Sequence, residues 1–432
     1  AIGRPQAFAD NQAFNDGTDT SPPTPVDSVG SVDYYVYDDL LSAKKITSSN
    51  VSAVIPRRNW TTGTTYDYYR HDYGEINSAG TVIAANSGAT TLHDATFYVM
   101  NSTFDVYKVI DNNGNSASTV EPTGNKSTSV FSTGDSYKWK YMYSLSASEQ
   151  ANFLSTDFMH VSTESTDYST TAGAIENAKV TAGGSGGTNG TYTNVDIRGD
   201  GSSGKATVVV SSNAVTSVTI TTAGSGYTFA SVLASDIGSV SGADIDFIIS
   251  PPGGHASDAV AELGGFFVMM NVDFATSESG EFNTSNDFRR IALLRNPTDS
   301  TTGSTATAST LDATKSITFS GTPGSFQADE KITQASTGAV GFVVDFNSTT
   351  KVLRYIQPQF TNQGVDSNGN LTAFSSTNTV TGATSGATGT PSSHDITPEL
   401  TADSGDILYI ENRKPISRAS DQTENVKLIV EF

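Results

Sequence analysis

Apolar residues recur in short runs with a period of two, and polar turns break them every few positions. The clearest run sets Tyr137, Trp139, Tyr141 and Tyr143 against Lys138, Lys140, Met142 and Ser144. Alternation at that period places successive side chains on opposite sides of a strand, so it predicts a strand with one aromatic face. Thr96 to Ile110 predicts one or two more, through Phe97, Val99, Phe104, Val106 and Val109. Ser146-Ala147-Ser148-Glu149 has capping-box spacing and predicts a short helix over roughly Ala147 to Ser155. Phe266 to Met270 and Phe288 to Leu294 have the density of core strands. Two further strands, Ile407 to Ile410 and Val426 to Phe432, close the chain, joined by a polar loop that starts Glu411-Asn412-Arg413-Lys414-Pro415. Near the start, Ser21-Pro22-Pro23-Thr24-Pro25 must be extended, which predicts an irregular arm to about Gly30.

Two segments have a different texture, rich in Gly, Ser, Thr and Val, and each contains an echo of itself. Lys179-Val180-Thr181-Ala182-Gly183-Gly184-Ser185-Gly186 resembles Thr219-Ile220-Thr221-Thr222-Ala223-Gly224-Ser225-Gly226. Each copy leads to an apolar strand, Ala206 to Val210 and Ile245 to Ile249. In the second segment, Ile332 to Ala339 is echoed by Val380 to Ala387. Two copies are too few for a solenoid and predict small pseudo-symmetric β modules instead. Each is expected to be compact with adjoining ends, so that residues 171 to 250 can be removed from a core that still folds.

Composition sharpens this picture. The 432 residues hold 45 Asp and Glu against 24 Lys and Arg, a net charge of −21. That balance argues against a nucleic-acid binder, which needs clustered cations for phosphate. With no cysteine, disulfide scaffolds, Cys-ligated zinc, iron–sulfur clusters and thiol nucleophiles are excluded. No apolar stretch approaches the roughly 20 residues of a membrane helix. Only 16% of residues are charged and 39 are glycine, which favours strands and turns over helices. Ala1 in place of Met leads us to expect an upstream piece that was processed or left out.

Several strings match catalytic or binding motifs in letters and fail on mechanism. Gly183-Gly184-Ser185-Gly186-Gly187 fits G-x-S-x-G, but a nucleophile elbow needs a helix next, and more Gly, Thr and Asn follow. Gly199-Asp200-Gly201-Ser202-Ser203-Gly204-Lys205 fits most of a phosphate loop. Ala206 stands where a magnesium-holding Ser or Thr is required, and a strand follows instead of a helix. Asp111-Asn112-Asn113-Gly114-Asn115 and Asp366-Ser367-Asn368-Gly369-Asn370 start like calcium loops but lack the sixth-position Gly and twelfth-position Glu, and read as turns. His71, His93, His160, His255 and His394 have no metal-ligand spacing. The Tyr66, Tyr68, Tyr69 and Tyr73 cluster around Arg70 and His71 reads as a loop packed on the core or as an interface patch.

The strings that remain resemble one family, the baseplate wedge protein of T-even-type contractile-tailed bacteriophages (the eighth gene product). Val54-Ile55-Pro56-Arg57-Arg58-Asn59-Trp60 resembles its A-V-I-P-R-R-D-W segment. Gly3-Arg4 and Pro22 to Val29 resemble its G-R-S and P-P-Y-P-T-D-S-V. Val120-Glu121-Pro122, Gly134-Asp135-Ser136-Tyr137-Lys138-Trp139, Phe288-Arg289-Arg290-Ile291 and Asn296-Pro297 follow in the same order. Tyr409-Ile410-Glu411-Asn412-Arg413-Lys414-Pro415-Ile416 and Asp421-Gln422-Thr423-Glu424 resemble Y-M-E-N-R-P-P-I and D-Q-T-E. The Gly/Thr-rich segments have no counterpart in the T-even form and look like decorations of related phages of marine cyanobacteria.

The resemblance implies a virion protein of the tail baseplate, assembled in the host cytoplasm, that dimerises and binds other wedge proteins, without cofactor, metal or catalytic residue. The expected fold is mainly β: a discontinuous multi-layer β-sandwich core with a few short helices and two inserted small β domains. The expected map is 1–170, core with an extended arm; 171–250, a duplicated β module; 251–300, core; 301–393, a second module; 394–432, the core's last strands. No membrane or nucleic-acid partner is expected. Arg57, Arg58 and Trp60, with Glu411, Asn412 and Arg413, are the candidate residues for a subunit interface or for internal bracing. The alternative reading is a tail-associated receptor-binding adhesin or a polysaccharide-degrading tail protein.

Overall fold

A computed structural model describes residues 1–8, 17–24, 33–77, 80–127, 129–162, 171–274, 286–358, 364–416 and 423–432. The arm residues 25–30 and the Asp421-Gln422 pair lie outside the described residues. The fold is mainly β, with 44% strand and 6% helix in multiple antiparallel sheets. The chain forms two compact units, Ala1–Thr47 with Val272–Val426, and Ser48–Asn271 with Lys427–Phe432.

In the first unit a five-stranded sheet runs in the order Thr310–Asp312, Leu40–Lys44, Ile2–Gly3, Phe288–Arg295, Asp406–Ile416. The last of these corrects the sequence reading, since Glu411 to Pro415 belong to the strand and not to a connection. The polar run stays in the sheet because its partner is polar at the same level: Arg290 is the register partner of Asn412. A seven-stranded sheet occupies the 301–393 region. There the echo pairs with itself, Ile332 opposite Gly382 and Thr333 opposite Thr381. Both copies end in a turn that needs a left-handed glycine, Gly338 at φ 81° and Gly386 at φ 65°.

In the second unit the strand Lys138–Ser144 lies inside a four-stranded sheet between Asp105–Asp111 and Phe131–Ser132. Both of its faces are buried, which the alternation did not suggest. Tyr137, Trp139 and Tyr141 pack with Tyr66, Tyr107 and Val109. Tyr143 departs from them and packs on the opposite side with Met142 and Val106. The cause is a bulge: Tyr107 opposes Tyr141 while Val106 opposes Tyr143, so Met142 is the extra residue that reverses the facing. The Thr96 to Ile110 run divides into Tyr98–Met100 and Asp105–Asp111 around a turn held by the Asn101 side chain. The helix is Ala147–Phe153, and its capping box is complete: Glu149 N–H donates to Ser146 Oγ at 3.3 Å, and Ser146 N–H to Glu149 Oε2 at 2.7 Å.

The duplicated segment exchanges strands between its copies. The opening strand of the first, Ile175–Ser185, pairs with the closing strand of the second, Ser241–Ile249. The opening strand of the second, Ala214–Thr222, pairs with the closing strand of the first, Lys205–Ser211. The registers correspond. Val180 opposite Ile245 matches Ile220 opposite Ala206, and the same bulge separates each from the next rung. One apolar cluster, including Ala206, Val208, Val218, Ile237 and Phe247, spans both copies.

Candidate functional site

The candidate residues of the second unit sit where the strand Val51–Pro56 leaves its sheet. Arg57 donates to the Ser155 carbonyl at 2.8 Å and, through Nε, to Asn59 Oδ1 at 3.1 Å. Arg58 donates to the carbonyls of Ala95 and His93 and lies over the Tyr98 ring, 4.5 Å from its centroid. Trp60 Nε1 donates to Ser118 Oγ at 3.0 Å, and Ser118 Oγ donates to Asp135 Oδ2 at 3.1 Å. Asp135 also accepts from Thr119 N–H at 2.7 Å and Val120 N–H at 3.0 Å. Burial works to raise its pKa, but these donors and the Thr133 hydroxyl hold it below the usual carboxylate range. Three strings far apart in sequence, Pro56 to Trp60, Val120 to Pro122 and Gly134 to Trp139, thus converge around Ser118, which no motif had marked.

The first unit has a comparable convergence on Asp39, 1% exposed. Arg290 Nη1 reaches Asp39 Oδ1 at 2.6 Å, and Arg4 Nη1 lies 3.6 Å from Oδ2. Arg290 Nε donates to Asn412 Oδ1 at 3.1 Å, and Asn412 Nδ2 donates to the Pro23 carbonyl at 3.1 Å. Asn412 is therefore built into this brace. Glu411 and Arg413 instead pair with each other at 3.1 Å, with Arg413 exposed. Sequence reasoning marked Asn412 but missed Asp39, which lies in a run with no motif character.

A third polar group, unmarked in the sequence, lies within the second unit. Lys108, Glu176, Glu262, Lys140 and His255 are all buried, Lys108 and Glu262 completely. Lys108 Nζ is 2.5 Å from Glu262 and 3.2 Å from Glu176, and Lys140 Nζ is 2.7 Å from Glu176. Burial alone would raise the Glu262 pKa, but Lys108 and His255 outweigh it and hold it at about 2. His255 Nε2 donates to the Tyr141 carbonyl at 2.9 Å while Nδ1 lies 2.9 Å from Glu262 Oε1. Both contacts together call for the doubly protonated ring. Burial and Lys108 disfavour that form and hold the His255 pKa below its usual value. Glu176 belongs to the duplicated segment, Lys108 and Lys140 to the four-stranded sheet, Glu262 to a short helix, Ala259–Glu262, and His255 to the turn before that helix. Lys138 to Asn177, Lys179 to Asn112 and Arg70 to Asp246 extend the seam.

The motif-like strings have structural uses. Gly201 and Gly204 make room for the Tyr227 ring, since a Cβ on Gly201 would stand 2.4 Å from it. Tyr227 donates to the Ile197 carbonyl at 3.0 Å and accepts from Gly204 N–H at 3.1 Å. Gly183 to Ser185 end a strand, not an elbow. Asp366 accepts from the N–H groups of Asn368 and Asn370, which closes a turn. Among the described residues no group of three or more His, Asp or Glu is placed to hold a metal. None of the described helices is long and apolar enough to cross a membrane.

Residues 1–121 match the family model Phage-Gp8, described as Bacteriophage T4, Gp8. No curated protein matches the chain. The matched stretch holds Arg4, Asp39, Arg57, Arg58, Trp60 and Ser118, so both braces draw on it. By that match, which covers residues 1–121 of the 432, the chain is similar to the T4-type baseplate wedge family of the phage tail.

Proposed function

We propose that this protein is an assembly component of the baseplate wedge, joining sister wedge proteins and a second copy of itself, and that it turns over no substrate. The observation that carries this reading is the use made of its most distinctive residues. Arg57, Arg58, Trp60 and Asn412 are all spent on internal hydrogen bonds that fix where strands and loops leave their sheets, the work of a rigid scaffold. The contacts of Arg57, Arg58, Trp60 and Asn412 favour bracing, and the exposed Arg413 is left as the candidate for contact. The 171–250 and 301–393 segments are decorations of that scaffold in this reading.

The test is reconstitution. Purified protein mixed with the other wedge proteins of its phage is expected to enter a stoichiometric complex, and to sediment as a dimer when alone. Recovery as a free monomer from every such mixture overturns the proposal, as does saccharide cleavage that survives purification to homogeneity.

A further inference from the structure

Three side chains of the second unit, drawn from three strands, meet at one point of the seam. Lys138 and Asp111 are register partners on adjacent strands of the four-stranded sheet, and Asn177 meets them from the strand Ile175–Ser185 of the duplicated segment. Lys138 Nζ donates to Asn177 Oδ1 at 2.8 Å, and Asn177 Nδ2 donates to Asp111 Oδ2 at 3.3 Å. The same Oδ2 stands 3.7 Å from Lys138 Nζ. An amine therefore touches an amide, and one carboxylate oxygen lies beside both nitrogens. A lysine amine that has lost its proton is a nucleophile, and one held against an amide is already in the near-attack arrangement. Asn177 is 6% exposed, which limits the access of water as a competitor.

We propose that Lys138 and Asn177 join in an intramolecular amide bond, with Asp111 as the proton carrier. Asp111 takes a proton from the Lys138 ammonium, and the freed lone pair on Nζ attacks Asn177 Cγ. The bond formed is Nζ–Cγ and the bond broken is Cγ–Nδ2. Nζ sheds two protons: Asp111 relays one to the leaving nitrogen, which departs as ammonia, and the other passes to solvent. The step is neither an oxidation nor a reduction. Its product is a covalent staple between the sheet and the duplicated segment. A second lysine–asparagine contact lacks the carrier. Lys179 Nζ lies 3.0 Å from Asn112 Oδ1, but Asn112 Nδ2 donates to the Tyr66 carbonyl at 2.9 Å and to Asn115 Oδ1 at 2.8 Å. Neither acceptor relays a proton to a leaving nitrogen, so that pair is expected to stay unlinked.

The test is mass spectrometry of the full chain after incubation at neutral pH. The intact mass is expected to fall below the sequence mass by one ammonia, and a digest to contain one branched peptide that joins Lys138 to Asn177. Lys138→Arg and Asp111→Ala, each checked for folding by circular dichroism, are expected to keep the full mass. The Lys138 side chain is 34% exposed, so arginine has room there. A wild-type chain of full mass overturns the proposal, whatever the variants do. So does a loss of ammonia that persists in folded Lys138→Arg, which would mean that an asparagine had closed on its own backbone. A branch between Lys179 and Asn112 overturns it as well, and a Lys138–Asn177 branch that forms equally in folded Asp111→Ala overturns the role of Asp111.

Discussion

At the scale of single residues, chemistry that is plain in space was faint in the sequence. Lys108 stands between Tyr107 and Val109, where a lysine in a strand reads as solvent-facing. Its burial depends on Glu176 and Glu262, which are 68 and 154 residues away along the chain. No local pattern encodes such distances. Removing one member of a buried ion group leaves its partner charged and desolvated, so Glu262→Gln is expected to cost about 3–5 kcal/mol. Urea unfolding followed by tryptophan fluorescence measures it, with Trp60 and Trp139 both in this unit. The pH dependence has a definite sign. Glu262 is held at about 2 when folded, below the ~4.3 of an unfolded chain. Its stabilisation is complete above the unfolded value and lost as pH falls from about 4 towards 2, so wild type is expected to lose stability over that interval while Glu262→Gln loses less. Arg57→Ala and Arg58→Ala carry a different test. If bracing is their work, each lowers the urea midpoint of the isolated protein, by about 1.5–3 kcal/mol per charged hydrogen bond lost. An unchanged midpoint with failed wedge assembly would assign them to an interface.

Elements were legible where local chemistry decides them. Ser146 and Glu149 announce the helix because each satisfies the other's backbone, and the period of two announces strands. What the sequence hid were features set by a neighbouring strand. The bulge at Met142 depends on pairing with Val106 and Tyr107, and the strand character of Glu411 to Ile416 depends on Phe288–Arg295. The echo in the 171–250 segment announced a duplication but not the exchange of strands. That exchange makes the two copies equivalent, which is open to measurement. Gly184 at φ 68° and Gly224 at φ 64° occupy matching positions, and a Cβ on either would approach backbone atoms at 2.6 and 2.5 Å. Gly184→Ala and Gly224→Ala are each expected to lose at least about 1–2 kcal/mol, with similar urea midpoints. A harmless substitution at one site alone would show that the copies are not equivalent.

For the whole molecule, the fold class was legible from composition, and the similarity to the baseplate wedge family from strings scattered along the chain. The boundaries of the 171–250 segment matter more than its composition suggested. Its first residues supply Glu176, Asn177 and Lys179 to the seam described above. Excising 171–250 entirely would leave Lys108 and Lys140 sharing Glu262. Excising 181–244 and linking Val180 to Ile245, which are register partners, through an Asn-Gly turn keeps the seam. The longer deletion is expected to lower the midpoint of tryptophan-detected unfolding markedly, and the shorter one to leave it near wild type. Equal midpoints for the two deletions would mean that the buried ion group contributes no net stability.

The pairing of Ile175 with Ile249 also fixes how the chain carries mechanical load. Tension along the backbone enters and leaves the duplicated segment at a single rung, so force can pass across that rung without stretching the strands beyond it. The segment then hangs beside the line of force, like a loop of rope tied off at its neck. The knot is the ion seam around Glu176. While it holds, a pull on the chain is borne by the sheets on either side, and the strands beyond the rung stay unloaded.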